Sequence, residues 1–322
     1  MSLFTPLLEQ LADGHFHSGE ELGQQLGVSR SAIWKTLQQF ERLGLDIHAV
    51  QGKGYRLANA LDLLSAEKIL AVLPEVVREA PLAINVQLEV DSTNDWLMQQ
   101  VDWHGVACLA ECQHAGRGRR GRQWVSPFAA NLYLSLGWRF TLDAASLAGL
   151  SLAAGVAVMR ALDVLGIKTA GLKWPNDIVH GSRKLGGILI EMRGEAGGPS
   201  QVVIGVGLNV HMPDSAAEEL DQPWSDLQQC AGDKVSRNAL AAAVLSELVQ
   251  ACQACDRGGL TAYLEDWQDY DIHAGKQVDL LLPDERRITG LSRGIDSQGA
   301  LLLERGGKVQ RFSCGEVSLR GR

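Results

Sequence analysis

The chain has 322 residues, a formal net charge of −8, 46% hydrophobic and 21% charged residues. This composition excludes a disordered polymer and leaves room for two or three domains around a sizeable core. The acidic balance argues against bulk attraction to nucleic acid, although it allows a local basic patch.

Residues 1–60 predict three short helices and a hairpin. "PLLEQLAD" has apolar residues at helical spacing. "SGEELGQQLG" opens with the capping-box pair Ser18 and Glu21 and stops at Gly27. "SRSAIWKTLQQFERLG" starts at Ser29, a good N-cap, and lines up Ile33, Leu37 and Phe40 on one face. Two helices joined by "LGVS" make a helix-turn-helix, and "DIHAVQGKGYRL" supplies two strands of a wing around Lys53. The exposed face of the third helix would offer Arg30, Ser31, Trp34, Lys35 and Gln38 to phosphates and base edges, with Ser29 at its start. Against this stands the charge: residues 1–60 hold five Lys/Arg and six Asp/Glu, no basic footprint. A small helical interaction domain is the bland alternative. A monomeric helix-turn-helix reads a short half-site, so a DNA-binding form is expected to dimerise.

"NALDLLSAEKI" reads as a linker entering a new helix. Residues 67–272 then alternate strand-like and helix-like runs, an α/β or α+β domain with a mixed, largely antiparallel sheet. The strands are "LAINVQLEV", "GVACLAECQ", "LYLSLGWRF", "KLGGILIEM" and "QVVIGVGLNV"; the helices are "NDWLMQQV", 144–165 and 237–255. From residue 273 to 322, short strands separated by Gly-containing turns predict a small SH3-like β-barrel. The whole is therefore α+β in three domains, 1–60, 67–272 and 273–322. The first residues lack the basic start and apolar run of a leader. The uncharged run Ala144–Met159 is 16 residues and suits a core helix better than a membrane span. Six cysteines lack scaffold spacing, and Cys252 and Cys255 fall inside a helical run. Reduced thiols in the cytoplasm are expected, rather than zinc ligands.

Four stretches of the middle domain carry chemistry. In "HAGRGRRGRQW", Arg117, Arg119, Arg120 and Arg122 crowd into six positions, spaced by Gly116, Gly118 and Gly121. The GxGxxG match is weak, because "RQWVSPF" cannot open the helix a dinucleotide fingerprint needs. Guanidinium forks on a pliable backbone suit a loop that closes on an anion, and mutual repulsion should hold the empty loop open. "KWPND" stiffens a segment that holds Lys173 close to Asn176 and Asp177; alone it is as compatible with a turn and an ion pair. In "RKLGGILIE", Lys184 heads an apolar strand and either snorkels outward or points at a ligand. "DSTN" passes from strand to helix, presenting Ser92, Thr93 and Asn94 at a helix N-terminus, where ordinary capping is the plain reading.

Their order decides. "DSTN", "Q-x-x-GRGRRGRxW-x-SP", "NLYLSL", "KWPND", "RKLGGILIE" and "GVGLNV", behind a winged helix-turn-helix and ahead of "SRGIDSQGALLLE", resemble the biotin–protein ligases across essentially the whole chain. The leading domain resembles the bifunctional bacterial form, biotin operon repressor and biotin–acetyl-CoA-carboxylase ligase. The resemblance implies that biotin and ATP, with Mg²⁺ carried by the nucleotide, give biotinyl-5′-AMP. It also implies transfer to a lysine of the biotin carboxyl carrier domain, and an adenylate-bound homodimer that binds the biotin operator.

By the same resemblance Ser92, Thr93, Asn94, Gln113, Arg117, Gly118, Arg119 and Lys184 hold biotin or its adenylate. Arg119, Arg120, Trp124, Lys173, Asn176, Gly205, Gly207 and Asn209 face the nucleotide. Lys184 and Arg119 are the expected catalytic cations, and Asp177 orients or deprotonates the acceptor amine. The physics agrees: a carboxylate and an α-phosphate at 4 Å repel by about 4 kcal/mol in a partly screened site, which cations must cancel. Two alternatives stay open, a ligand-responsive transcription factor without catalysis and a lipoate or octanoyl transferase.

Overall fold

A computed structural model describes residues 3–78, 80–194, 198–218, 220, 222–282, 286–313 and 318–321. Helix α1 (Phe4–Leu11) buries Leu7, Leu8 and Leu11. Helix α2 (Gly19–Leu26) is capped by Ser18, whose hydroxyl accepts from the Glu20 amide at 3.3 Å, one residue earlier than a capping box requires. It stops at Gly27, where φ is +67°. Helix α3 (Arg30–Arg42) is capped by Ser29 and buries Ile33, Leu37 and Phe40, as its spacing predicts. Strands β1 (Ile47–Val50) and β2 (Gly54–Leu57) form the antiparallel wing. Phe128 and Ala129, from the middle of the chain, complete this first core.

Helices α4 (Ala66–Val72, capped by Ser65) and α5 (Glu75–Arg78) lead into the central sheet. That sheet is built from β3 (Ala83–Val90), β4 (Val106–Gln113), β5 (Leu132–Phe140), β6 (Ala170–Lys173), β7 (Asp177–His180), β8 (Arg183–Gly194) and β9 (Ser200–Leu208). Helix α6 (Thr93–Met98) follows β3, and α7 (Leu150–Val164) follows β5. Then come α8 (Asp214–Ala217), α9 (Leu227–Ala231), α10 (Arg237–Gly258) and α11 (Leu264–Tyr270). The strand order is β3-β4-β5-β9-β8-β7-β6, and among the described strands the β3–β4 pair alone is parallel. This is the mixed, largely antiparallel sheet that the sequence predicts.

Two details differ from the sequence reading. The helix expected over 144–165 begins at Leu150, because Asp143 accepts from the Ser146 amide at 2.8 Å and diverts the chain into turns. Residues 170–173 and 177–180 form a hairpin around "KWPND" whose four-residue strands are too short to announce themselves.

Alternation along β9 divides its two faces. Val202, Ile204, Val206 and Leu208 enter the main core with α7 and α10. Gly205 and Gly207 turn to the opposite face, where the cavity lies. Cys252 and Cys255 are buried in α10, and burial pushes the Cys255 thiol up to about 11.

Strands β10 (Gln277–Leu281), β11 (Arg287–Ile295), β12 (Leu301–Arg305), β13 (Lys308–Phe312) and β14 (Ser318–Gly321) make an antiparallel sheet in the order β13-β12-β11-β10-β14. Among the described residues the five strands form one antiparallel sheet, with no pairing between β13 and β14. No described helix is long and apolar enough to cross a membrane.

Candidate active site

A cavity of about 510 Å³ opens on the glycine face of the sheet. One end is the start of α6. Ser92 caps that helix by accepting from the Asp95 amide at 3.4 Å, so the capping reading of "DSTN" holds for this residue. Thr93 and Asn94 do more. The Thr93 amide and hydroxyl both donate to Gln113 Oε1, at 2.9 and 3.2 Å. Asn94 Nδ2 donates to Glu191 Oε2 at 2.7 Å. The Ser135 hydroxyl of β5 bridges Thr93 Oγ1 at 2.7 Å and Asn94 Oδ1 at 2.5 Å. Side chains from α6, β4, β5 and β8 thus lock each other's rotamers. A Cβ on Gly205 would collide with Asn94 Oδ1, so this strand position must be glycine for the helix to sit so close.

The arginine stretch is a folded-back hairpin. Gly118 donates to Arg122 O at 2.7 Å and Trp124 to Gly116 O at 2.8 Å, with Arg120 in left-handed backbone at φ +59°. Arg117 pairs with Asp95, and with Glu191 at 3.2 Å. The hydrogen bond from Arg117 to Asp95 holds the guanidinium above its ordinary pKa. Arg119 Nη1 donates to Asn176 Oδ1 at 3.2 Å. This corrects the expectation of a loop held open by repulsion, because Asp95, Glu191 and Asn176 supply acceptors from within the chain. Arg120 and Arg122 remain exposed.

Trp124, at the end of the hairpin, lies over Gly207, where an added Cβ would meet ring atom Cε2 at 2.6 Å. Lys184 Nζ lies 5.7 Å from the centre of that ring and 2.7 Å from Asp177 Oδ1. The lysine therefore turns inward instead of snorkelling. Its backbone is clamped: its amide donates to Pro223 O and its carbonyl accepts from the Ser225 amide, each at 2.9 Å. Lys173 reaches the other oxygen of Asp177 at 3.8 Å, and the two residues face each other across the β6–β7 turn. Asn176 is fixed by Ile188, its Nδ2 donating to Ile188 O at 2.8 Å and its carbonyl accepting from the Ile188 amide at 3.0 Å.

Ser92, Thr93, Asn94, Gln113, Arg117, Gly118, Arg119, Arg120, Trp124, Lys173, Asn176, Asp177, Lys184, Gly205 and Gly207 all line this one cavity. Asn209 does not; it is buried and donates to Ser225 O at 3.0 Å, tying down the segment beside Lys184. Ser135, Glu191 and Asp95 escape the sequence reading. Ser135 is findable as the one serine inside the apolar run "LYLSLGW"; the two carboxylates carry no local signal. On the first domain, Ser29, Arg30, Ser31, Trp34, Lys35, Gln38 and Lys53 are all exposed, Trp34 at 53%. Lys53 and Arg56 sit 5.9 and 5.2 Å from the centre of the Phe16 ring.

Residues 85–209 match the biotin/lipoate A/B protein ligase family, residues 6–56 match a helix-turn-helix (HTH) domain, and residues 273–320 match the biotin protein ligase C-terminal domain. The bifunctional ligase/repressor BirA of Escherichia coli strain K12 is 44% identical over 316 residues, 98% of this chain and 96% of that protein. The chain belongs to the bifunctional biotin–protein ligase family. The biotin–[acetyl-CoA-carboxylase] ligase of Mycobacterium tuberculosis is 35% identical over 73% of this chain and 88% of its own length. The solved biotin protein ligase from Aquifex aeolicus, in complex with biotin and ATP, superposes with a TM-score of 0.64 at 26% identity, covering 74% of this chain and 99% of that one.

Proposed function

We propose that this protein is a biotin protein ligase whose leading domain makes it a repressor as well. The observation that carries the reading is the single cavity in which Lys184 and Arg119, bonded to Asp177 and Asn176, share the lining with Thr93 and Asn94. A biotin carboxylate oxygen attacks the α-phosphorus of ATP. The P–O bond to the β-phosphate breaks, and pyrophosphate leaves with that electron pair. Lys184 and Arg119 offset the repulsion between the two anions and the charge that builds on phosphorus. Ser92, Thr93, Asn94 and Gln113 take the biotin ring, with Arg117 and Gly118 beside it. Arg120, Lys173, Asn176, Gly205 and Gly207 face the nucleotide, and Trp124 covers the mixed anhydride against water. Asn209 supports this wall from behind.

In the second step a lysine amine of the carboxyl carrier domain attacks the acyl carbon, the bond to AMP breaks, and the amine gives its proton to solvent. Asp177 is held by two ammonium groups, Lys184 and Lys173, which favours an orienting role over that of a base. Magnesium comes with the nucleotide. Among the described residues Asp177 is the one carboxylate lining the cavity, and no group of three or more His, Cys, Asp or Glu is placed to hold a metal. Carried there by the nucleotide, the ion would offset phosphate charge and would take most of its ligands from outside the protein. The adenylate-bound form is a homodimer that binds biotin operator DNA through α3 and the wing. The three domains 1–60, 67–272 and 273–322 and a cytoplasmic setting belong to the same reading.

The test is Lys184→Ala. Pyrophosphate release with biotin and Mg-ATP is expected to fall by about 10²–10³-fold, the loss typical of one charge-stabilising donor. Wild-type release in the variant would refute the assignment. Labelled biotin on the carrier separates a ligase from a sensor, and competition by lipoate would point to the related transferases.

A further inference from the structure

We propose that the turn Asp296–Ala300 of the C-terminal sheet is a positioning element for the nucleotide half of the cavity, and that Trp174 is the residue through which it acts. This rests on the ligase reading above. The β6–β7 hairpin is the edge of the central sheet, so its turn has strand neighbours on one side only. Yet the turn presents Lys173, Pro175, Asn176 and Asp177 to the cavity. Trp174, between them, also borders the cavity but is 1% exposed. Its indole Nε1 donates to Gly299 O at 3.1 Å, across 125 residues of sequence.

The acceptor is itself held firmly. Asp296 Oδ1 accepts from the amides of Gln298 and Ala300, each at 2.9 Å, while its other oxygen binds Arg311 of β13. Gly299 has φ +79°, and an added Cβ would lie 2.8 Å from Leu152 Cδ1 and 3.2 Å from Gly149 Cα. Only a glycine lets the turn wedge between the start of α7 and the back of the "KWPND" hairpin. A second tie runs alongside it, from the Ile272 amide to Leu172 O at 3.0 Å. The line of contacts passes from Arg311 through Asp296 and Gly299 to Trp174, and so to Asn176 and Lys173. The other end of the cavity is fixed independently by the Thr93, Gln113, Asn94 and Ser135 network.

The experiment uses the full chain. Trp174→Phe removes one N–H and keeps most of the packing. Gly299→Ala keeps the indole and pushes the turn away. For both variants KM for ATP is measured by pyrophosphate release at saturating biotin, and biotin affinity is measured by direct titration without nucleotide. A rise in KM for ATP on the order of tenfold is expected in each, below the roughly hundredfold cost of a full ~1 Å misplacement. Biotin affinity should stay within about twofold, because the network at its end of the cavity is separate. Equal weakening of both substrates, or an unchanged KM for ATP, overturns the proposal while wild-type pyrophosphate release leaves the ligase reading standing. No release by the wild type with biotin and Mg-ATP removes that reading, and the inference with it.

Discussion

Arg237→Met is expected to be the most damaging single change outside the cavity. Arg237, the first residue of α10, and Glu111 of β4 are 3% and 1% exposed. They meet as an ion pair at 2.7 Å, off the line of a hydrogen bond. Around them the linker to the DNA-binding domain is tied down. Arg237 Nη1 donates to Asp62 O at 2.9 Å and its Nε to Asn131 O at 3.0 Å. Glu111 Oε1 accepts from the Leu64 amide at 2.6 Å. Methionine fills much of the arginine stem but leaves a buried carboxylate facing no cation. Removing one partner of such a pair costs about 3–5 kcal/mol, against which the surviving Leu64 bond gives partial relief. With a urea slope of roughly 2–3 kcal/mol/M, the unfolding midpoint should drop by about 1 M or more. The double variant Glu111→Met/Arg237→Met should recover much of the loss, because an apolar pair of similar volume often replaces a buried ion pair at little cost. Urea titration followed by far-UV circular dichroism reads both. A single-variant loss below about 1 kcal/mol, or a double variant that sums the two single losses, would refute the argument.

Gly207→Ala places a methyl 2.6 Å from the Trp124 ring on a strand hydrogen-bonded on both sides, so the ring must move. Overpacking of about 1–3 kcal/mol translates to a roughly five- to hundredfold loss of pyrophosphate release, with unchanged far-UV dichroism; full activity would refute the role given to Trp124. A third prediction concerns acid. His273 and Asp271, 6% and 8% exposed, each carry a buried atom without a hydrogen-bond partner. Burial, with Lys173 and Lys276 nearby, lowers the His273 pKa from 6.5 to about 4, so its share of stability is lost as pH falls from 6.5 towards 4. Burial raises the Asp271 pKa from 3.8 to about 6, so its share is present below 3.8 and lost as pH rises through 6. The two slopes oppose each other. His273→Gln removes one and should gain about 3 kcal/mol relative to wild type on going from pH 7 to 4; parallel pH–stability curves for the two proteins would refute this.

What the sequence announces is what local spacing and end signals encode. Ser29 before α3, Ile33, Leu37 and Phe40 along it, and Gly27 after α2 each state a boundary or a face within a few residues. The strand at 201–210 reads from its period-two apolar positions, and the same period puts Gly205 and Gly207 together on one face. The site residues become legible through the order of the motifs, a resemblance rather than a derivation from spacing.

What stays hidden depends on register across the sheet. Asn94 and Glu191 are 97 residues apart and bond because β8 and β9 pair so that Leu189 faces Gly205 and Glu191 faces Val203. A slip of one residue would send Glu191 to the other face. The arginine hairpin is misread from sequence for the same reason: its own residues show repulsion, whereas Asp95 and Glu191, on other elements, neutralise Arg117. Charge patterns read along the chain thus record a local cost. The groups that offset it are set by the fold, and here Glu191, which accepts from Arg117, also fixes Asn94. Biotin recognition and loop placement therefore share a side chain, and a substitution at Glu191 should disturb those two together.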